Sequence, residues 1–146
     1  MTYELPPVIS LHKYFIWCNA MRLHFEAGFP KMKAEHDWHD RESIDAVMYM
    51  SYWYAGLFVV IEGWRELDLQ DANVNVLLTS PNVELLKRYR NGVFHYQKKY
   101  FDRRILDFVE DGIDPVHWVR SLHSALSAFF LDWCKTHNAD GNLIGT

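Results

Sequence analysis

The chain has 146 residues, 49% of them apolar and 23% charged, enough to close one hydrophobic core and too few for two ordinary domains. Seven glycines and five prolines exclude collagen-like, flexible-linker and proline-rich classes, and the apolar fraction excludes intrinsic disorder. A formal charge of −4 leaves no global cationic field to gather nucleic acid or anionic lipid, so any polyanionic partner must be held locally.

Twenty-three aromatic residues imply a core or an interface built on large rings. Cys18 and Cys134 lack the dense, even spacing of a secreted disulfide scaffold. The opening MTYELPPVIS lacks the basic-then-apolar order of a signal peptide, so a cytoplasmic setting is expected.

Leu11, Phe15, Cys18, Met21 or Leu23, and Phe25 recur at helical spacing and predict a first helix over 8–27, stopped by Gly28 and Pro30. Residues 29–39 read as a polar connection. Asp40 is then an N-cap, with Glu42 in the first turn of a long helix to about Leu67. Within it, Ala46 to Ile61 is uncharged. This run is shorter than the roughly 20 residues a bilayer span needs, so it predicts a helix buried nearly all round, central to a bundle or half of a dimer interface.

Residues 68–79 read as a loop with about one turn of helix. Ser80 and Pro81 form a cap-and-proline start for a helix reaching about Tyr100, and a short helix follows over 101–109, stopped at Gly112. Asp114 and Pro115 repeat the start signal for a last helix to about His137, striped by Val119, Leu122, Leu126, Phe130 and Trp133, before a frayed tail. No sustained two-residue alternation appears. The predicted class is all-α, one domain with its core over about 8–137, folded as a bundle of four or five helices.

The informative segment is KRYRNGVFHYQKKY, where Arg90, Asn91 and His95 form Arg-Asn-x-x-x-His. With eight Arg, eight His and seven Asn in the chain, the bare pair arises by chance roughly 0.4 times and the triplet roughly 0.02 times. Here the chain resembles the HEPN superfamily, small up-and-down helical bundles with an Arg-x(4 to 6)-His motif on a late helix, often with Asn after the Arg. The resemblance implies a HEPN-like dimer and metal-independent endoribonuclease chemistry, in toxin-antitoxin or antiphage settings, with an antitoxin or other protein as possible partner. The alternative it leaves is a non-catalytic module that binds a nucleotide, an RNA or a protein. Some toxin members carry Tyr two residues after the His; here that position is Gln97, next to Tyr96.

The residue types suit RNA cleavage by the neighbouring 2'-hydroxyl, which needs a proton acceptor, a proton donor and positive charge for the phosphorane. An imidazole can serve as acid or base at neutral pH, and His95 is the candidate. Arg90 grips phosphate oxygens in a fork, and Asn91 orients substrate or histidine. No metal or other cofactor is called for. Lys87, Arg88, Lys98 and Lys99, with Arg103 and Arg104, make a basic rim for substrate; an ordinary solvated face balanced by Glu84 and Asp102 explains them equally well.

In an ideal helix Arg90 and His95 stand roughly 140° apart. Leu85, Leu86, Tyr89, Val93, Phe94, Tyr96 and Tyr100 form an apolar arc that includes Arg90, whereas His95 falls opposite. Either the helix distorts beside Gly92 or a two-fold dimer completes the site. Arg90 within an apolar arc also needs a carboxylate, for which Glu62 is the candidate. Tyr96 and Tyr100 are expected to pack in the core rather than stack bases. The cluster Glu35, His36, Asp37, His39 and Asp40 has metal-ligating residue types but reads as a loop ending in an N-cap, not as a metal site.

Overall fold

A computed structural model describes residues 4–31 and 40–139. The described residues form six α-helices: α1 (Pro7–Gly28), α2 (Arg41–Glu66), α3 (Ala72–Leu77), α4 (Asn82–Phe94), α5 (Arg103–Asp111) and α6 (Pro115–Ala139). A 3-10 turn, Phe29–Lys31, follows α1, and the described residues contain no strand. The helix count exceeds the four or five expected because the turn of helix foreseen within 68–79 is a separate element, capped by Asp71 accepting from the N–H groups of Asn73 and Val74. The cluster at 35–39 and the tail beyond 139 lie outside the described residues.

Local signals set most of the boundaries. Asp40 Oδ1 accepts the Glu42 N–H at 3.3 Å and Ser80 Oγ the Asn82 N–H at 3.1 Å, each satisfying a donor that a helix start leaves unpaired. Glycine closes α5 at Gly112.

Contacts between helices define the topology. Leu11 lies against Gly63 and Cys18 against Gly56, so α1 runs antiparallel to α2. Arg90 reaches Glu62, Tyr89 meets Ser51 and Phe94 meets Tyr52, so α4 packs against the middle and C-terminal parts of α2. On α6, Phe130 stacks with His12 and Arg120 pairs with Glu26, making α6 antiparallel to α1. The four long helices therefore form a bundle with α2 at its centre. By length and composition α2 would also cross a membrane, yet ten of its side chains are buried in the core.

Burial of α2 is less complete than its sequence predicts. Ile44, Val47, Met48 and Tyr52 are exposed, because α1 and α4 flank this face of α2 without closing over its N-terminal half. The stripes foreseen on α1 and α6 do face the core, with Leu11, Phe15, Cys18 and Phe25, and with Val119, Leu122, Leu126 and Phe130, all buried.

Two buried polar groups tie distant parts together. The Asn82 amide is fully buried and bridges to the turn before α6, donating to Ile113 O and accepting from Ile113 N–H, both at 2.8 Å. At the other end of the core, Trp53 Nε1 donates to His123 Nδ1 at 3.0 Å. An indole N–H only donates, so the imidazole hydrogen sits on Nε2, where it meets Asn19 Oδ1 at 2.9 Å. Burial, followed by the nearby Arg22 guanidinium, pulls His123 down to about 4.

Replacing Asn82 by Ala orphans both peptide groups of Ile113 and should cost about 2–4 kcal/mol, read as a lower urea midpoint at unchanged slope. For His123 the unfolded chain binds the proton more tightly than the folded one. Stability is therefore complete above about pH 6.5 and declines as pH falls towards 4, with a slope of up to ~1.4 kcal/mol per unit. Urea titrations between pH 4 and 7 on wild type and His123→Gln should show this slope only in the former.

Candidate functional site

Arg90 sits in the last turn of α4, on the side facing α2. Its Nη1 donates to Glu62 Oε2 at 2.9 Å, its Nε donates to Asn91 Oδ1 at 3.0 Å, and the guanidinium carbon lies 4.8 Å from the centroid of the Phe58 ring. A carboxylate, an amide and an aromatic face thus fix the plane of a cation that is only 19% exposed. Glu62 is the partner that the apolar arc demanded. Phe58 was not anticipated, although it stands one turn before Glu62 on the same face of α2, a spacing at which the two side chains adjoin.

α4 ends at Phe94, six residues short of the expected Tyr100, and His95 is its C-cap in an extended conformation (φ −117°, ψ 130°). Tertiary packing causes this. Gly92 is buried beneath α5, where a Cβ would come within 2.9 Å of Ile105 Cγ1 and 3.2 Å of Arg104 Cβ, so the chain must turn back at once to bring α5 over it. Gln97 secures the turn by donating to His95 O at 2.8 Å and accepting from Arg104 Nη1 at 2.6 Å.

His95 therefore lies off the helix, and the 140° separation computed for an ideal rod does not apply. Of the two ways foreseen to bring the pair together, the helix does not bend at Gly92 but stops two residues beyond it. The His95 imidazole is exposed and makes no hydrogen bond among the described residues, and none joins it to Arg90. Asn91 connects the two positions: its side chain accepts from Arg90, and its backbone carbonyl accepts the His95 N–H at 3.1 Å.

The surroundings differ from expectation in two further respects. Tyr96 and Tyr100 are 92% and 73% exposed rather than packed in the core, because they follow the end of the helix whose arc would have buried them. Half of the basic rim, its three arginines, is neutralised. Arg88 and Arg103 pair with Asp107, Arg103 also with Glu110, and Arg104 with Asp102. Lys87, Lys98 and Lys99 are exposed and make no ion pair among the described residues. The site thus offers an anchored guanidinium, an accessible imidazole, three solvated ammonium groups and exposed phenol rings.

Among the described residues no group of three or more His, Cys, Asp or Glu side chains is placed to hold a metal. Sequence reasoning did not single out a second polar cluster, Arg22, Glu26, Arg120 and His123, on another side of α2. Its signal was Arg120 and His123 interrupting the apolar stripe of α6.

The Glu62 side chain is 48% exposed, so its pair with Arg90 is screened. Glu62→Gln should lower stability by less than about 1 kcal/mol, and a double-mutant cycle with Arg90→Ala should return a coupling of about the same small size. Urea denaturation checks both, and a coupling above about 2 kcal/mol contradicts a screened pair.

No protein-family model, curated protein or solved structure matches this chain.

Proposed function

We propose that the protein is a HEPN-like, metal-independent endoribonuclease in which Arg90, Asn91 and His95 form the working centre. The observation that carries this reading is the double role of Asn91, which holds the guanidinium with its side chain and the histidine backbone with its carbonyl. A charged fork and a titratable ring are thereby tethered to one short stretch of backbone, the fork immobilised and the ring open to solvent.

In the reaction the 2'-hydroxyl loses its proton to a base and its oxygen attacks phosphorus. The bond from phosphorus to the 5'-oxygen breaks, and that oxygen takes a proton from an acid. The products are a 2',3'-cyclic phosphate and a 5'-hydroxyl. His95 supplies one of the proton transfers, a role worth about 10²–10⁴ in rate, while Arg90 offsets the charge gathering on the phosphorane. Lys87, Lys98 and Lys99 draw the backbone phosphates towards it, and Tyr96 offers a face for a base.

A homodimer supports the second proton transfer. The exposed apolar side chains Ile44, Val47, Met48 and Tyr52 of α2 continue into Phe94, one residue before His95. A two-fold pairing on this strip covers it and sets the His95 copies near each other, one as base and one as acid. The biological setting that goes with this reading is growth restriction or antiphage defence in the cytoplasm, with an antitoxin or another protein as regulator.

One observation favours a second reading. The Arg90 guanidinium already has a carboxylate partner in Glu62, which suits a non-catalytic module that binds a nucleotide, an RNA or a protein. Purified protein in excess chelator should cut single-stranded RNA, leave 2',3'-cyclic phosphate ends and sediment as a dimer. Arg90→Ala and His95→Ala should each lose about 100-fold or more in rate while keeping the wild-type circular dichroism spectrum. RNA binding without cleavage establishes the second reading, and neither binding nor cleavage rejects both.

A further inference from the structure

Between α1 and α6 lies an open cavity of about 400 Å³, within the ~300–1,000 Å³ typical of small-molecule sites. It shares no residue with the Arg90 centre. Phe58, under Arg90, and Trp53, which donates to His123, are five residues apart on α2 and so project roughly 140° from one another, placing the two regions on different sides of that helix.

The polar wall of this cavity comprises Asn19, Arg22, Arg120, His123, Ser124 and Ser127, with no carboxylate among the lining residues. Glu26 lies behind them and is shared by both arginines, its Oε2 accepting from Arg22 Nη1 and its Oε1 from Arg120 Nη1, each at 2.6 Å. One negative charge thus serves two positive ones, and a net charge of +1 remains.

Donors also remain. Nη2 of Arg22, and Nε and Nη2 of Arg120, have no acceptor among the described residues, and the hydroxyls of Ser124 and Ser127 have no partner there. Asn19 Oδ1, in contrast, is already occupied by Arg22 Nε–H and His123 Nε2–H, which locks the floor of the cavity to the Trp53 indole beneath it. Arg120 is held too, its guanidinium carbon 5.6 Å from the Trp53 ring centroid. The low value of His123 is due first to burial and then to Arg22, with Glu26 opposing and Arg120 adding to the effect of Arg22.

A rigid floor, two carboxylate-oriented guanidinium groups, two free hydroxyls and surplus positive charge complement an oxyanion with several acceptor atoms. We propose that the cavity between α1 and α6 binds the phosphate monoester group of a small ligand, no larger than a mononucleotide. The phosphate sits against Arg22 and Arg120, with Ser124 and Ser127 donating from α6. Ala128 and Leu131, the remaining lining residues, meet the carbon skeleton of the ligand.

The test is isothermal titration calorimetry on the full chain with inorganic phosphate, at ionic strength held constant with chloride. Saturable one-to-one binding is expected. It should weaken at least tenfold in Arg120→Gln and vanish in Ser127→Asp, which sets a carboxylate in the cavity at a half-buried position on the helix surface; urea titration establishes that both variants fold. Ribose 5-phosphate should compete with phosphate for the same site. Phosphate binding should persist in Arg90→Ala, which separates this cavity from the proposed nuclease centre. The proposal is overturned by absence of a saturable heat, by affinity unchanged in both cavity variants, or by loss of binding in Arg90→Ala. Acetate competing as well as phosphate would also overturn it, in favour of a carboxylate site. A 5'-phosphorylated tetranucleotide binding tenfold more tightly than ribose 5-phosphate would replace the small ligand with an RNA end.

Discussion

The close approach of α1 to α2 is the constraint from which the rest of the arrangement follows. Gly56 and Gly63 are seven residues apart on α2, as are Leu11 and Cys18 on α1, and the two pairs meet. A Cβ at Gly56 would stand 3.3 Å from Cys18 Cβ, and one at Gly63 would overlap the end of the Leu11 side chain, so glycine at these positions lets the helices lie this near without displacing either neighbour. With α1 seated there, Phe25 reaches Trp53, and Phe15 and Asn19 reach His123 of α6. Of the two polar centres, the one around Arg120 and His123 is built on the flank of this seam, and the one around Arg90 lies on another side of α2, against α4.

Those centres show the same physical device, a cation made rigid by more than one kind of contact. Arg90 has a carboxylate, an amide and the Phe58 ring; Arg120 has a carboxylate and the Trp53 ring. An aromatic face beneath a guanidinium fixes its plane at little desolvation cost, and it leaves other N–H groups directed elsewhere. The heavy aromatic content of the chain is therefore used for positioning charge as well as for filling the core.

What could be read from the sequence was what local chemistry decides. Asp40 and the Ser80–Pro81 pair mark helix starts because a side chain or a proline there meets the orphan N–H groups of its own first turn. Glu62 could be named as the partner of Arg90 because an arginine in an apolar arc needs a carboxylate and the uncharged run ended in one. The end of α4 could not be read, since it is imposed by Ile105 and Arg104 lying over Gly92, while Tyr96 and Tyr100 happen to continue the helical period. Nor could the Trp53–His123 bond be foreseen, because it joins residues 70 positions apart and nothing near either one demands the other. The Arg-Asn-x-x-x-His spacing could be seen, but the geometry of its last member depended on that unreadable turn.

The seam between α1 and α2 also has a chemical consequence. Cys18 is buried beside Gly56, its Sγ 3.1 Å from Trp53 O, and burial pushes its thiol well above the usual range. Thiolate is the reactive form, so while the helices stay together this sulfur is closed to alkylating and disulfide reagents. The half-buried Cys134 is not sealed in the same way. One cysteine is left as a handle for labels, and the other reacts only at the rate at which the two helices part, giving a chromophore-free clock for opening of the bundle.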